Sequence, residues 1–462
     1  MRRVIVISDL HIGGESLPML GHPELLCDFL RQLTNYKRTP GEEIELVING
    51  DFVDFLAIEP YAAWTPEEDK SIAKLEQAKK QFPEVFQALS ECIARLDYFT
   101  VLLGNHDIES GCPRVLRALL EMLGTNPHRC LFIASNQAYR CGDLLIEHGN
   151  RYDAWNAIDY EDFHKVVSRL SRSEDAGGFE VCPGSQMVEQ MVNPLKPDYP
   201  FLDLLKPETK VLPLLLTSLE PSLKYNVKRI YGVFRFWAKQ LVRTRSWIPV
   251  ITTKSEKLIA AAPVHDTLPQ DLQLAFNEEL SALKSTEQLI SANQIWTRLK
   301  GSRPESAAFK IRNHKPIEDE QLERIRLSLG RALEGDRTFD DDGPDGPYLE
   351  AARKLVNGEA RPRVVLMGHT HQIREVKLND GNLYLNTGTW VDLIKVQPKV
   401  LQPGEEGRAA LDQWLRQLLL DTKSLRDPDP AYADITLDQS GKISQPENRP
   451  LLRRLASGPF SA

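Results

Sequence analysis

The residues best suited to chemistry are histidines and carboxylates gathered in five short segments. In chain order the segments are Asp9-Leu10-His11, Gly50-Asp51, Gly104-Asn105-His106-Asp107, His148-Gly149 and Gly368-His369-Thr370-His371. They hold five of the ten histidines of the chain. Imidazole, carboxylate and amide groups together suit Mn, Fe or Zn better than Mg or Ca. Two such ions can activate water, so the segments predict a two-metal hydrolase site.

Each segment follows an apolar run that is typical of a buried strand. The runs are residues 4–7, 45–48, 101–103, 144–146 and 364–367. In open α/β sheets, ligands bind beyond the carboxyl ends of the strands, so residues distant in sequence can meet there. Each segment alone is a weak signal, and their common position after a strand is what makes them a site. Gly50, Gly104, Gly149 and Gly368 adjoin the candidate ligands, where a missing Cβ allows close approach of the backbone.

In order and type, the five segments resemble the signature blocks of the calcineurin-like metallophosphoesterase superfamily. Those blocks are written D-x-H, G-D, G-N-H-D/E, H and G-H-x-H. The resemblance covers about residues 1–155 and 360–400, and residues 386–390 look like the asparagine-glycine turn and strand that close the domain in bacterial members. It implies an α/β fold, a four-layer α/β/β/α sandwich of two mixed sheets.

The resemblance also implies which residues hold metal. A hydroxide that bridges two divalent ions would attack a phosphoester. Asp51 would be the carboxylate that spans both ions. The remaining ligands would be Asp9, His11 and His371 for the first ion, and Asn105, His148 and His369 for the second. Mn²⁺ is the expected metal, with Fe or Zn as alternatives.

By the same resemblance, His106 is the group that protonates or stabilises the leaving oxygen. An imidazole suits this role because its pKa lies near neutrality. Asp107 would orient His106, although a cap on the following helix is an equally compatible role for it. Asn105 and Arg151 are the candidate substrate-binding residues. The Arg151 guanidinium could hold a phosphate oxygen, or could simply be solvated or paired with a carboxylate.

Length and composition indicate a large enzyme rather than a nucleic-acid-binding protein. The chain has 462 residues, more than one core usually fills, and a net charge of −8. An acidic average gives no general attraction to nucleic acid. The first strand follows the initiator Met without a signal peptide, so a cytoplasmic location is expected. Six scattered cysteines without C-x-x-C spacing indicate reduced thiols.

The motifs divide the chain into three predicted parts. Residues 1–155 and 360–400 form the metallophosphoesterase domain. Residues 156–359 form a mainly helical insertion, either a lid or a substrate-selecting module, because so long a segment exceeds an ordinary loop. Residues 401–462 form a helix and a polar tail that pack on the core.

One stretch of the insertion stands out by charge. Residues 221–255 contain no acidic residue, and residues 224–245 read as a basic amphipathic helix with interleaved aromatic residues. Three interpretations remain open: a helix packed on its own domain, a helix on an anionic membrane, or a lid that grips a charged or lipid-like substrate.

The resemblance defines a reaction class more firmly than a substrate. A phosphomonoester, a phosphodiester or a pyrophosphate is the expected substrate. One alternative is a lipid-linked nucleotide pyrophosphatase similar to the UDP-diacylglucosamine hydrolase, but that enzyme has Arg where this chain has His106. Another is a non-catalytic scaffold, which the complete ligand set and His106 argue against. The oligomeric state is not predicted.

Overall fold

The structure is a computed structural model that describes residues 1–14, 18–219, 306–359, 361–444 and 450–455. The chain forms two compact units. The first comprises residues 1–189, 337–392 and 428–462, and the second comprises residues 190–336 and 393–427.

The strands and helices are numbered here in chain order. The strands are β1 (Arg2–Ile7), β2 (Glu43–Asn49), β3 (Tyr98–Leu102), β4 (Cys130–Ile133), β5 (Tyr139–Cys141), β6 (Leu144–Ile146), β7 (Leu205–Lys206), β8 (Val364–Met367), β9 (Ile373–Lys377), β10 (Leu383–Thr387), β11 (Ile394–Lys395), β12 (Ala431–Leu437) and β13 (Leu452–Arg454). The helices are α1 (Pro23–Thr34), α2 (Glu68–Gln81), α3 (Pro83–Ile93), α4 (Pro113–Met122), α5 (Tyr160–Leu170), α6 (Pro183–Met187), α7 (Asn193–Leu195), α8 (Glu208–Leu219), α9 (Ala307–Arg312), α10 (Asp319–Ala332), α11 (Gly346–Val356) and α12 (Gly404–Leu420).

The first unit contains two mixed sheets. The six-stranded sheet has the order β13-β12-β1-β2-β3-β4, in which β1 to β4 run parallel and β12 and β13 are antiparallel to their neighbours. The five-stranded sheet has the order β5-β6-β8-β10-β9, with β6, β8 and β10 parallel. All five strands predicted to carry the motifs are therefore present.

Alternation along the strands builds three apolar layers. On β1, Ile5 and Ile7 face a core shared with helices α1, α3 and α4, whereas Val4 and Val6 face the second sheet. On β8, Val364 and Leu366 complete the layer between the sheets, and the residues between them pack against α11. The order is helices, sheet, sheet, helix, which confirms the predicted four-layer α/β/β/α sandwich.

Two features of the first unit differ from the sequence prediction. The apolar spacing of residues 67–97 predicts a helical stretch, and the structure divides it into two helices, α2 and α3, because Pro83 has no N–H to continue the first and instead starts the second. The tail, predicted as polar, supplies β12 and β13 to the six-stranded sheet, and every residue of β12 is buried.

A buried ion pair fastens β12 to β1. The Arg3 guanidinium donates from Nε and Nη2 to the Asp434 carboxylate at 2.7 and 2.8 Å. Both side chains are essentially inaccessible, and Arg453 Nη1 lies 3.3 Å from the same carboxylate. This pair joins two strands that are more than four hundred residues apart in sequence.

We expect Arg3→Ala to lower the free energy of unfolding by about 3–5 kcal/mol, because it leaves a buried carboxylate poorly compensated. Urea denaturation followed by tryptophan fluorescence measures the change. Arg31→Ala is the matched control, because its pair with Asp28 is exposed and such pairs contribute about 0.2–1 kcal/mol. Equal effects of the two substitutions would contradict the role given to Arg3.

In its described residues, the second unit is mainly helical. Helices α8, α9, α10 and α12 surround buried apolar residues, and β7 pairs with β11 in a small parallel sheet. The boundaries of the two units differ from the boundaries of the predicted domains. Helix α5 packs on the first unit through Phe163 because its apolar face meets the core around α4. Helix α12 belongs to the second unit, with Trp414 buried.

The basic segment 224–245 lies outside the described residues. So do residues 271–299, whose length and composition predict a long helix. Among the described helices, none combines the length and the apolar character that a membrane span requires. The six cysteines are free thiols, and five of them are buried.

Candidate active site

The five motif segments meet at the carboxyl ends of their strands. The loops after β1, β2 and β3 of the six-stranded sheet carry Asp9, Asp51 and Asn105. The loops after β6 and β8 of the five-stranded sheet carry His148 and His369. Both sheets therefore contribute ligand residues to one edge of the sandwich.

Five of the candidate ligands have left-handed backbone conformations. These residues and their φ values are Asp9 (55°), His11 (45°), Asp51 (51°), His369 (69°) and His371 (60°). Such a conformation costs about 1–3 kcal/mol for a residue other than glycine and persists only where the surrounding structure imposes it. Here it directs side chains from sharp turns after the strands into a common space.

Three glycines leave room for these side chains. A Cβ on Gly50 would lie 2.2 Å from His148 Nδ1, and one on Gly104 would lie 2.1 Å from Asp51 Oδ1. A Cβ on Gly368 would lie 2.5 Å from Asp9 Oδ2. The loops pass so close to the ligands that any side chain at these positions would displace them.

We expect Gly50→Ala to displace His148 and to reduce metal binding, because the new methyl group overlaps the imidazole and the backbone φ is +80°. Metal content after dialysis, measured by elemental analysis, checks this. Gly41→Ala is the control, since Gly41 also has a positive φ but nothing lies within 4 Å of an added Cβ. Full metal content in Gly50→Ala would contradict the expectation.

The first group of ligand atoms comes from Asp9, His11, Asp51 and His371, whose candidate donor atoms all lie within 4.8 Å of one another. His11 Nε2 and His371 Nε2 are 3.0 Å apart. Asp9 Oδ1 lies 3.4 Å from His371 Nε2, and Asp51 Oδ2 lies 3.6 Å from His11 Nε2. These are the four residues expected around the first ion.

The second group comes from Asp51, His148 and His369. His148 Nε2 lies 3.3 Å from the same Asp51 Oδ2 that faces His11. Asp51 therefore stands between the two groups, as expected of a bridging carboxylate. Asn105 is buried, and its Oδ1 has no hydrogen-bond partner within the described residues.

Three of the imidazoles use their second nitrogen to contact an oxygen. His11 Nδ1 lies 3.0 Å from Asp54 Oδ2, and His148 Nδ1 donates to the Asn49 carbonyl at 2.8 Å. His369 Nε2 lies 3.2 Å from Asp153 Oδ2. An oxygen acceptor at one nitrogen leaves the other nitrogen free to bind metal and fixes the plane of the ring.

His106 lies beside the first group, and its side chain is 19% exposed. Its Nδ1 lies 3.1 Å from Asp54 Oδ1, and its backbone N–H donates to Asp51 Oδ1 at 2.9 Å. Burial lowers the pKa of His106, but the charges of Asp54 and Asp51 outweigh burial and raise it to about 10. The two carboxylates thus favour the protonated form of the ring.

The prediction that Asp107 orients His106 is wrong. Asp107 accepts hydrogen bonds from the Gly104 and Phe52 backbone N–H groups at 2.6 and 2.9 Å, so its carboxylate ties the loops after β3 and β2 together. It does not cap the helical turn that follows it either. The carboxylate that contacts the His106 ring is Asp54, which also contacts His11.

Two further residues of the site were not predicted from sequence. Lys74, a buried residue of α2, donates to the Phe55 carbonyl at 3.0 Å, and the Phe55 N–H donates to the His106 carbonyl. Lys74 thus supports the loop that carries Asp54. The spacing Gly-Asp-x-x-Asp after β2 was a usable signal for Asp54, whereas nothing in the sequence marks Lys74, which lies mid-helix.

The remaining predicted residues take clear positions. Arg151 Nη1 lies 3.7 Å from Glu147 Oε2, and the guanidinium lies near the Tyr152 ring. The segment 386–390 contacts the backbone of two motif segments. Asn386 donates to the Gly368 carbonyl at 2.8 Å, and Thr389 Oγ1 donates to the Asp9 carbonyl at 2.8 Å. The substrate-binding roles of Arg151 and Asn105 stay predictions.

The residues present fit two divalent ions. The donor set is imidazole, carboxylate and amide, which suits Mn, Fe or Zn. The unpartnered Asn105 Oδ1 is a buried acceptor that a metal ion would satisfy. Imidazole nitrogens 3.0 Å apart, with carboxylate oxygens beside them, enclose a place for a cation.

The sandwich and the convergent groups of imidazoles and carboxylates define a candidate metal site. Residues 2–190 match the family model of the calcineurin-like phosphoesterases. The match covers the first four of the five motifs and confirms the recognition of the calcineurin-like metallophosphoesterase superfamily. A search of the curated proteins finds no significant match. The family match ends before His369 and His371, and the fold brings these two residues to the same site.

Proposed function

We propose that this protein uses two divalent ions to hydrolyse a phosphoester. Asp51, which lies between the two ligand groups, would contact both ions. The observation that carries the proposal is the position of Asp51 Oδ2, which lies 3.6 Å from His11 Nε2 and 3.3 Å from His148 Nε2. One carboxylate thus faces an imidazole of each group. The family match and the ligand groups support a metal-dependent phosphoesterase.

The residues of the site have separate proposed roles. Two divalent ions, when bound, would supply activated water at neutral pH and positive charge toward the phosphoryl oxygens. Asp54 holds His106 at the exposed side of the site, where its ring can give a proton to the departing oxygen. Asn105 and Arg151 are proposed to contact the phosphoryl group, and Mn²⁺ is the proposed metal.

The proposal is tested with metal-stripped full-length protein. Bis-p-nitrophenyl phosphate, p-nitrophenyl phosphate and a nucleoside diphosphate sugar are offered with Mn²⁺, Zn²⁺, Fe²⁺ or Mg²⁺ added back. We expect turnover that depends on added metal and is strongest with Mn²⁺. The preferred substrate would distinguish a diesterase, a monoesterase and a pyrophosphatase. Protein that binds no metal and hydrolyses none of the three would overturn the proposal.

Contact of segment 224–245 with an anionic membrane is a separate proposal that rests on its charge pattern alone. Flotation with vesicles containing phosphatidylglycerol tests it. We expect binding at low salt that is lost at high salt, because exposed charges are screened. Absence of binding at low salt would refute it.

A further inference from the structure

The loop after His148 contains a carboxylate that contacts a ligand of the second group without belonging to either group. Asp153 Oδ2 lies 3.2 Å from His369 Nε2. The His369 side chain is 8% exposed and that of Asp153 is 26% exposed, so the contact is largely shielded from water. Neither ligand group includes Asp153.

Asp153 is itself held in place by the residues that follow it. Its Oδ1 accepts from the Trp155 N–H at 2.9 Å, and its Oδ2 accepts from Asn156 Nδ2 at 2.7 Å. The oxygen that faces His369 is therefore the one that Asn156 steadies. An amide, a carboxylate and an imidazole form a short chain that ends at the metal site.

A neighbouring segment packs on this chain. The Gly184 N–H donates to the Trp155 carbonyl at 2.8 Å, and a Cβ on Gly184 would lie 2.0 Å from Asn156 Oδ1. The Asn156 amide is thus enclosed on the side away from Asp153. The packing limits the rotation of Asn156 and, through it, the position of the Asp153 carboxylate.

The contact decides which nitrogen of His369 can bind metal. Oxygens of an ionised carboxylate only accept hydrogen bonds, so the contact favours the neutral tautomer in which His369 Nε2 carries the proton and Nδ1 keeps the lone pair. The ring is also bounded by His148 and Tyr348, whose ring centroids lie 5.3 and 6.1 Å away. These edge-on and tilted ring contacts restrict the position of His369 but do not choose between its nitrogens.

We propose that Asp153, steadied by Asn156, is a positioning residue that sets the tautomer and orientation of His369 for the second metal ion. This inference rests on the proposed function, because it concerns an ion of the same site. It assigns a role to the Asp153–Asn156 pair, which the sequence offers either as lining of the substrate pocket or as turn residues. Outer residues of this type typically contribute about 10–100-fold to metal affinity.

The test measures Mn²⁺ binding rather than activity. Wild type, Asp153→Asn and the control Asp162→Asn are compared by chelator competition, which gives the number of ions and both affinities. Asp162 pairs with Lys165 at the surface of α5, so its replacement removes a carboxylate without touching the site. In Asp153→Asn, the amide cannot offer an oxygen to both His369 and the Trp155 N–H.

We expect Asp153→Asn to bind one ion as tightly as wild type and the other about 10–100-fold more weakly. The spin-coupled Mn²⁺ signal in electron paramagnetic resonance should fall at a metal concentration that saturates the wild type. The melting temperature of the metal-free protein should stay close to that of Asp162→Asn.

Three results would overturn the inference. Unchanged affinities would show that His369 does not depend on Asp153. A parallel loss of both ions, together with a lower metal-free melting temperature, would assign Asp153 a purely structural role. A wild type that binds no ion would refute the proposed function as well. If the wild type binds two ions, a negative result with Asp153→Asn refutes only the role proposed for Asp153.

A second variant keeps the test possible if Asp153→Asn does not fold. Asn156→Ala leaves the carboxylate beside His369 and removes only the amide that steadies it. We expect a loss of affinity below about tenfold, confined to the same ion. Equal effects on both ions, or no effect on either, would contradict the proposed chain.

Discussion

Asp51→Asn is expected to abolish phosphoesterase activity and to lower the metal content of the protein without unfolding it. Asp51 Oδ2 lies near imidazoles of both ligand groups, so its charge serves both ions. A neutral amide would leave two cations close together with too little compensating charge. Removal of even one neutral hydrogen-bond donor from an active site costs about 10²–10³-fold in rate, so the loss here should be larger.

The measurement pairs turnover of bis-p-nitrophenyl phosphate with elemental analysis of the purified protein. Asp28→Asn is the control, because Asp28 is an exposed residue of α1 that pairs with Arg31 at the surface. Circular dichroism should show the same helix content for both variants. Full activity in Asp51→Asn would show that catalysis does not depend on the Asp51 carboxylate.

His106→Ala is expected to keep both metal ions and to lose activity mainly against substrates with poor leaving groups. The two groups that contain Asp51 do not include His106, which lies with His11 and Asp54 in a third group of possible donor atoms, and its side chain is 19% exposed. General acid catalysis contributes about 10²–10⁴-fold. Phenyl phosphate should show a loss of this size, whereas p-nitrophenolate departs without a proton and its ester should be affected much less.

Asp54→Asn tests the partner that the structure gives to His106. The Asp54 carboxylate contacts both His106 and His11, so we expect the same dependence on the leaving group together with weaker metal binding. A ratio of phenyl to p-nitrophenyl ester rates that equals the wild-type ratio would contradict this role. Loss of metal in His106→Ala would show instead that His106 is a ligand.

Glu109 illustrates a part of the site that sequence reasoning could not reach. It lies two residues beyond Asp107, is buried, and accepts from the Thr65 N–H at 3.1 Å. Burial raises its pKa to about 7, although the nearby charge of Lys74 opposes the shift. Neither residue follows a strand or stands beside a glycine, so the sequence pattern gives no reason to select them.

Asp54 and Asp107 show the same limit within a motif. Both follow strands that carry candidate ligands, and the sequence prediction selects only Asp107 as the partner of His106. Only the turn after β2 decides between them, because it points the Asp54 carboxylate toward the His106 ring while Asp107 accepts backbone N–H groups. A choice between two nearby carboxylates depends on turn geometry, which spacing does not encode.

Strand β12 was missed in the sequence for a different reason. Its sequence alternates little and carries Asp434, which lowers the apparent strand signal. The residue is buried because Arg3 of β1 pairs with it. Pairing between residues 3 and 434 is a long-range contact, and hydrophobic periodicity is a local signal.

The sequence by itself determined the candidate ligands, the strands that precede them and the recognition of the superfamily, because metal chemistry restricts residue types and buried strands appear in a sequence as short apolar runs. The tertiary structure alone decided which carboxylates orient the imidazoles, that the tail completes the six-stranded sheet, and where the chain divides into two units. These features depend on side chains from separate strands and loops approaching within about 3 Å, the range of a hydrogen bond. Such an approach is set by packing of the whole domain and not by any single segment.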